Sequence, residues 1–346
     1  MAASKKGQLN FISFAYAIGT VLVIFGHSFP LGKAVIPESM LSFRAFVYSF
    51  HMPLFFYISG ALLKYLSDDR GLYRGMTYTV FILKKAKKLL IPYFVLALLA
   101  FVPKYLMTGY ISDRVLLDAD YLIRSFFVPH ENVWGHFWFI PVLFGLFCFS
   151  YLQLKIVQKA WSTVLFTILF LFLNFHPINL GWLGIKDICI YGIYFWLGLI
   201  TSDYITAKQT AIFSRGKGIV ALVTGIVLFL SLAFMITGRG TMLRSMLFLL
   251  VALLMIYSIL CVGIVYQQGK YSFFDWLNGK IYTVFLLSWP CQSIIEICLN
   301  KILNLYWFIV MPSMFLSGLL GPLLIIWLYR KLKIENRLLK ASIGIS

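Results

Sequence analysis

Apolar runs of about 20 residues recur along the whole chain, separated by short polar segments. A run of that length crosses a bilayer as an α-helix, whereas a membrane-spanning strand would alternate apolar and polar residues. The pattern predicts an all-α, polytopic membrane protein with about ten transmembrane helices. The predicted spans are residues 9–28, 42–63, 89–109, 137–154, 161–175, 184–202, 218–237, 245–267, 281–299 and 306–329.

Composition agrees with this pattern, because 61% of the residues are hydrophobic and only 12% are charged. A soluble protein would carry about a quarter charged residues. No polar stretch is long enough to form a soluble core, so residues 1–346 are predicted to be a single integral-membrane domain. The five cysteines all lie inside apolar runs and are interpreted as small hydrophobic residues.

The net charge of +18 has a topological explanation. With a cytoplasmic N-terminus, the ten spans place 21 of the 30 basic residues in inside segments. This distribution follows the positive-inside rule and predicts that both termini are cytoplasmic. Membrane lipids are therefore the expected partners of these charges, and no nucleic-acid partner is predicted. The sequence specifies no oligomeric state.

A basic cluster ends the inside loop 64–88, just before the third span. It consists of Lys84, Lys85, Lys87 and Lys88. One interpretation is a topology anchor on anionic lipid. The other is that the cluster also gathers an anionic cytoplasmic ligand.

The outside loop 110–136 contains an amphipathic segment over residues 115–127. This segment is either a plain interfacial helix or a short helix over an external cleft. At the start of the sixth span, Lys186 and Asp187 are predicted to form a local ion pair.

Two histidines fall at membrane depth on adjacent spans. His27 ends the first span and His51 lies part-way into the second, so the topology puts both in the outer half. One intramembrane histidine is often a packing residue, but two in one layer favour a functional site. Further along the second span, Ser59 and Gly60 are small enough to let a neighbouring backbone approach closely.

Other polar and aromatic residues surround this layer. Arg44 lies seven residues before His51, on the same helix face, and either extends towards the interface or orients an anionic or carbonyl group. His136 and Trp138 open the fourth span, as part of an interfacial belt or of a sugar-stacking surface. Trp289 precedes Pro290, where a break in the ninth span is predicted.

Neutral imidazole offers general-base chemistry, because it can take a proton from a hydroxyl as that hydroxyl attacks an acyl carbon. The sequence contains no nucleophile elbow, phosphate-binding glycine loop or HExxH motif. Only His27 and His51 are expected to converge, without carboxylates, so no metal site is predicted.

Four segments in order carry a resemblance to a known family. They are AIGTVLVIFGHS at 17–28, FHMPLFFYISG at 50–60, HFWFIP at 136–141 and IYTVFLLSWP at 281–290. Together with the ten-helix pattern, they resemble the integral-membrane acyltransferase family 3, in particular its fucose 4-O-acetylase-like and polysaccharide O-acetyltransferase branch.

The resemblance implies a bacterial, multi-pass cell-membrane enzyme that uses cytoplasmic acetyl-CoA as acyl donor, with no bound cofactor. It implies a glycan acceptor, either a cell-surface or capsular polysaccharide or a lipid-linked form of it. His27 is then the expected catalytic base, with His51 as a second polar catalytic or orienting group. The family commonly has Arg or Lys eleven residues before this histidine, where this chain has Tyr16.

The candidate residues described above, together with these motifs, give the expected binding residues. Those for the acceptor are Tyr16, Arg44, Ser59, His136, Trp138 and Trp289, and those for the donor are Lys84, Lys85, Lys87 and Lys88. Two alternatives stay open: a transporter or export factor for a polysaccharide or its precursor, and a membrane sensing or assembly module.

Overall fold

The computed structural model describes residues 10–30, 36–68, 71, 73, 75–106, 116, 118–156, 160–235, 241–269, 274, 277 and 279–332. All regular structure within these ranges is helical. The helices are α1 (Asn10–Gly26), α2 (Glu38–Asp68), α3 (Tyr78–Leu106), α4 (Ala119–Phe127), α5 (Phe139–Ile156), α6 (Ala160–Phe175), α7 (Ile185–Ala207), α8 (Gln209–Ile212), α9 (Arg215–Met235), α10 (Thr241–Gln268), α11 (Ile281–Glu296) and α12 (Trp307–Lys331).

Ten of these helices correspond to the ten predicted spans. Eight are long and apolar enough to cross a membrane, and α1 and α6 are shorter apolar helices. The predicted class, an all-α polytopic membrane protein, is confirmed.

Two predicted details are wrong. Helix α3 begins at Tyr78, so Lys84 to Lys88 lie on a helix and not in the loop before it. Helix α11 continues through Pro290 without a break. The neighbouring turns of α11 accommodate the proline within the helix. The helix becomes irregular only after Glu296, in a π-helical turn over Ile297–Ile302.

Contacts between helix ends form two layers. In one layer, Lys64 on α2 pairs with Asp203 on α7 at 3.0 Å, and the Tyr282 hydroxyl donates to the Lys88 carbonyl at 3.1 Å. In the other, the Lys104 ammonium donates to the Val133 carbonyl at 2.6 Å. We call the first layer inner, because the charge bias predicts that it faces the cytoplasm, and the second layer outer.

Helices α2 and α7 make the closest backbone approach in the core. A Cβ atom on Gly60 would lie 2.0 Å from the Phe195 carbonyl oxygen, and one on Gly198 would lie 1.9 Å from the Tyr57 carbonyl oxygen. Each glycine therefore admits the backbone of the other helix, as expected for small residues at a membrane helix interface. The contact fixes α2, which carries several candidate site residues.

The outer surface carries a short helix and an ion pair. Helix α4 covers residues 119–127 of the predicted amphipathic segment, and the Asp118 carboxylate caps it by accepting from the Tyr121 amide at 2.7 Å. Residues 107–115 and 117 of this loop lie outside the described residues. The predicted local pair at Asp187 is wrong, because its carboxylate lies 2.9 Å from Nε2 of His130 instead.

Candidate active site

The end of α1, where His27 lies, is held by α2. The Gly26 carbonyl accepts hydrogen bonds from Arg44 Nε at 3.0 Å and from the Tyr48 hydroxyl at 2.8 Å. Arg44 also donates to the Tyr48 hydroxyl at 3.1 Å. A Cβ atom at Gly26 would lie 2.3 Å from the Tyr48 ring, so only glycine allows this approach. Arg44 therefore orients the backbone next to His27.

Helix α11 holds the same end of α1 from another side. The side-chain amide of Gln292, which is 1% exposed, donates to the Ile24 carbonyl and to the Ser28 hydroxyl, each at 2.8 Å. Gly318 on α12 makes room for this amide, because a Cβ atom there would lie 2.8 Å from Gln292 Cδ. The residues on both sides of His27 are thus anchored, which fixes the backbone from which its imidazole extends.

His51 is buried on α2 and shares a neighbour with His27. The Tyr48 ring contacts both histidines, with ring centroids 4.9 Å from His51 and 6.3 Å from His27. Nδ1 of His51 lies 2.9 Å from the Val47 carbonyl oxygen. A carbonyl oxygen only accepts, so in the neutral ring Nδ1 carries the proton and Nε2 offers a lone pair. His51 is therefore held in a form that can accept a proton.

His136 joins this layer from the turn before α5. Its ring lies 5.6 Å from the His27 ring and stacks on Trp289 at 5.4 Å. Trp134 contacts both His136 and Trp289, and the Trp134 indole N–H donates to the Leu96 carbonyl at 2.8 Å. An aromatic wall therefore surrounds the histidines on the side of α5 and α11.

Trp138 lies apart from this group. Its ring stacks on His130 at 5.0 Å and contacts Tyr191 at 5.3 Å and Phe56 at 6.4 Å. Its ring therefore belongs to a neighbouring cluster around the His130–Asp187 pair.

A cavity of about 480 Å³ opens among the inner ends of α1, α2, α3, α5 and α11. Tyr16 and Ser59 line this cavity together with Lys84, Lys85 and Lys88. The structure thus brings two predicted acceptor residues to the predicted donor residues, away from the outer histidines. Lys87 is exposed and is not among the described residues that line the cavity.

Lys85 is the most enclosed cation of the cavity. Its ammonium donates to the Tyr73 hydroxyl at 3.1 Å and lies 3.9 Å from the centroid of the Phe147 ring. Burial raises the pKa of the Tyr73 phenol above its ordinary value, so this hydroxyl stays protonated at neutral pH. A cation held against apolar walls attracts an anion more strongly than one in water.

One aromatic layer separates the cavity from the histidines. The Tyr16 ring contacts Phe55 at 5.1 Å, and Phe55 contacts Phe139 at 5.7 Å and Phe285 at 6.1 Å. On the outer side, Phe285 lies 6.2 Å from His136. We call Phe55, Phe139 and Phe285 the aromatic layer.

A family model for the acyltransferase domain of acyltransferase family 3 matches residues 10–330. The chain belongs to this family. The predicted resemblance is thereby confirmed at the level of the family, and the chain is a membrane-embedded acyltransferase. No curated protein and no solved structure is significantly similar to the chain. The family match favours acyl transfer over the transporter and the sensing module considered from the sequence.

Several residues of this candidate site were not singled out from sequence. Tyr48 lies four residues after Arg44 and three before His51, a spacing that puts all three on one helix face. Gln292 is an uncharged polar residue within an apolar span, which is itself a signal of function or of helix contact. Tyr73 and Lys104 carried no comparable signal, because their contacts form only when distant segments pack together.

Proposed function

We propose that this acyltransferase is an O-acetyltransferase of a bacterial cell membrane. It transfers an acetyl group from cytoplasmic acetyl-CoA to a hydroxyl of a cell-surface or capsular glycan, with His27 as the general base. The observation that carries the proposal is the arrangement of a cationic inner cavity and an outer histidine layer, separated only by the aromatic layer. Such an arrangement suits a donor and an acceptor that approach from opposite sides.

The inner cavity suits a coenzyme A thioester. Its lining offers Lys84, Lys85 and Lys88 to phosphate groups, which bind ammonium groups as charge-assisted partners. Its walls are mainly leucine and aromatic side chains, which suit the less polar pantetheine arm. The family commonly has Arg or Lys at the helix-1 position that Tyr16 occupies in this chain. Tyr16 and Lys85 line the same cavity, so Lys85 supplies a cation there in place of the missing basic residue.

The outer layer suits a sugar hydroxyl. His27 takes the hydroxyl proton as the oxygen attacks the acetyl carbon, a contribution of roughly 10²–10⁴ in rate for a well-placed base. His27 lies close enough to His51 and to Arg44 for an electrostatic interaction with each of them. Trp289 is only partly buried, so it is the aromatic side chain of this layer that a sugar can approach.

Replacing His27 by Ala tests the proposal. We expect the surface glycan from cells with the His27→Ala protein to lose its acetate, measured as acetate released by mild alkali. Mass spectrometry of the glycan should show one acetyl group fewer per repeat. Normal acetylation at equal protein levels would exclude His27 as the base.

A matched control is His176→Ala, because His176 lies at the end of α6 against Phe172. We expect its glycan to carry the wild-type amount of acetate. Supplying membrane vesicles with acetyl-CoA labelled in the acetyl group tests the donor. Transfer of label from another thioester but not from acetyl-CoA would contradict the proposed donor.

A further inference from the structure

His136 is a buried imidazole whose two nitrogens are both unpaired. The residue is 6% exposed, and neither Nδ1 nor Nε2 has a hydrogen-bond partner among the described residues. Two other histidines do form ring hydrogen bonds: His51 bonds the Val47 carbonyl, and His130 bonds the Asp187 carboxylate. Leaving a buried polar group unpaired costs about 1–3 kcal/mol, so such a group needs an explanation.

The surroundings of His136 indicate what the free nitrogens meet. Its ring lies against Trp289, Phe137 and Phe285, which are hydrophobic and accept no ordinary hydrogen bond from it. The ring of His136 also contacts the imidazole of His27, the proposed base, with 5.6 Å between the ring centroids and 61° between the ring planes. The two imidazoles therefore contact each other edge to face, in the layer where the proposed reaction takes place.

Positive charge also lies close to this pair of rings. The Lys104 ammonium is 4.7 Å from the centroid of the Trp289 ring, and it is near enough to interact electrostatically with His136. Its bond to the Val133 carbonyl fixes it there. A cation beside a hydrogen-bond donor stabilises negative charge that develops between them.

We propose that His136 is a second catalytic residue, which donates a hydrogen bond to the oxyanion of the tetrahedral intermediate. The inference rests on the proposed acetyl transfer. The acceptor O–H proton passes to His27 while its oxygen bonds the acetyl carbon, and the carbonyl electron pair moves to the oxygen beside His136. The intermediate then re-forms the C=O bond and breaks the C–S bond. The departing thiolate takes the proton from His27, which leaves an ester and free coenzyme A.

Two variants of similar length test this role. His136→Gln keeps an N–H donor, whereas His136→Met does not. Inside-out membrane vesicles that hold the endogenous glycan acceptor receive labelled acetyl-CoA, and initial rates are measured against its concentration. We expect Met to lower the maximal rate about 10²–10³-fold, the usual cost of one oxyanion donor. Gln should retain at least about tenfold more activity than Met.

The KM for acetyl-CoA should stay within about twofold in both variants, because His136 lies outside the donor cavity. His176→Gln should behave as wild type. Equal rates for Gln and Met, or a wild-type rate for Met, would overturn the role of His136. If Met does not accumulate in the membrane, Asn and Leu at the same position form a second matched pair with the same expectation.

His27→Ala, assayed in parallel, separates this inference from the proposal on which it rests. Full acetylation by His27→Ala means that the proposed function fails. An inactive His27→Ala together with a fully active His136→Met means that only the role of His136 fails.

Discussion

The contact between α2 and α7 gives a stability prediction. In a Gly60→Ala protein, the new Cβ atom would lie 2.0 Å from the Phe195 carbonyl oxygen and 3.1 Å from the Leu199 amide nitrogen. Ordinary contact begins at 3.4 Å, and both neighbours are backbone atoms, which cannot rotate away. The two helices must therefore move apart by more than about 1 Å, a distance that rigid packing does not absorb.

The expected cost has two parts. Overpacking at a buried site costs typically about 1–3 kcal/mol. Separating the helices also weakens two hydrogen bonds, from Ser202 to the Ala61 carbonyl at 2.9 Å and between Tyr57 and Thr201 at 2.8 Å. Each contributes about 1 kcal/mol. Alanine's better helix propensity offsets about 1 kcal/mol of this, so we expect the free energy of unfolding of Gly60→Ala to fall by about 2–4 kcal/mol.

The measurement is an SDS titration of the purified protein in mixed micelles. Gly216→Ala is the control, because nothing lies within 4 Å of a Cβ atom at Gly216, near the start of α9. Alanine is the better helix former by about 1 kcal/mol, so this control should be neutral or slightly stabilised. The reasoning fails if Gly60→Ala unfolds within about 0.5 kcal/mol of wild type, well below the cost of overpacking.

Two further predictions concern the site itself. Lys85→Met should raise the KM for acetyl-CoA roughly 10–100-fold, since a charge-assisted bond contributes about 1.5–3 kcal/mol. The control Lys87→Met should leave this KM unchanged. Equal KM values for the two variants would contradict the assignment of the cavity as the donor site. Tyr48→Phe removes the hydroxyl that bonds the Gly26 carbonyl, so unfolding free energy should fall by about 0.5–1.5 kcal/mol and the maximal rate should drop several-fold. Unaltered turnover by Tyr48→Phe would mean that this bond does not position His27.

The sequence predicted the membrane class and the order of helices well, because length and hydropathy determine which segments cross a bilayer. It predicted helix ends less well. The start of α3 was placed at residue 89, since Lys84 to Lys88 are too polar for a span, yet they continue the same helix into the interface. The proline in α11 was taken as a break, although a helix can pass through it when neighbouring groups satisfy the freed carbonyl.

For the candidate site, the sequence predicted part of the spatial grouping of the candidate residues and missed the rest. The sequence placed His27, His51 and Arg44 in one layer, because they follow from helix ends and from spacing on one helix. It assigned Tyr16 and Ser59 to the acceptor, whereas both line the inner cavity. Whether a residue of α1 or α2 lines the inner cavity or the outer layer depends on its depth in the membrane. Only the packing of the other helices around α1 and α2 reveals where the cavity lies.

The aromatic layer has an electrical consequence. Phe55, Phe139 and Phe285 carry no charge, and they stand between an inner cavity and an outer polar layer. Moving one elementary charge through a membrane potential of 100 mV involves about 2.3 kcal/mol, and each such leak dissipates the potential. In the proposed reaction only the uncharged thioester end of the donor must pass these rings, while the nucleotide phosphates stay on the inner side. The layer thus keeps charged groups on the two sides of the membrane apart, and it favours a short, neutral acyl group on the thioester that reaches the histidines.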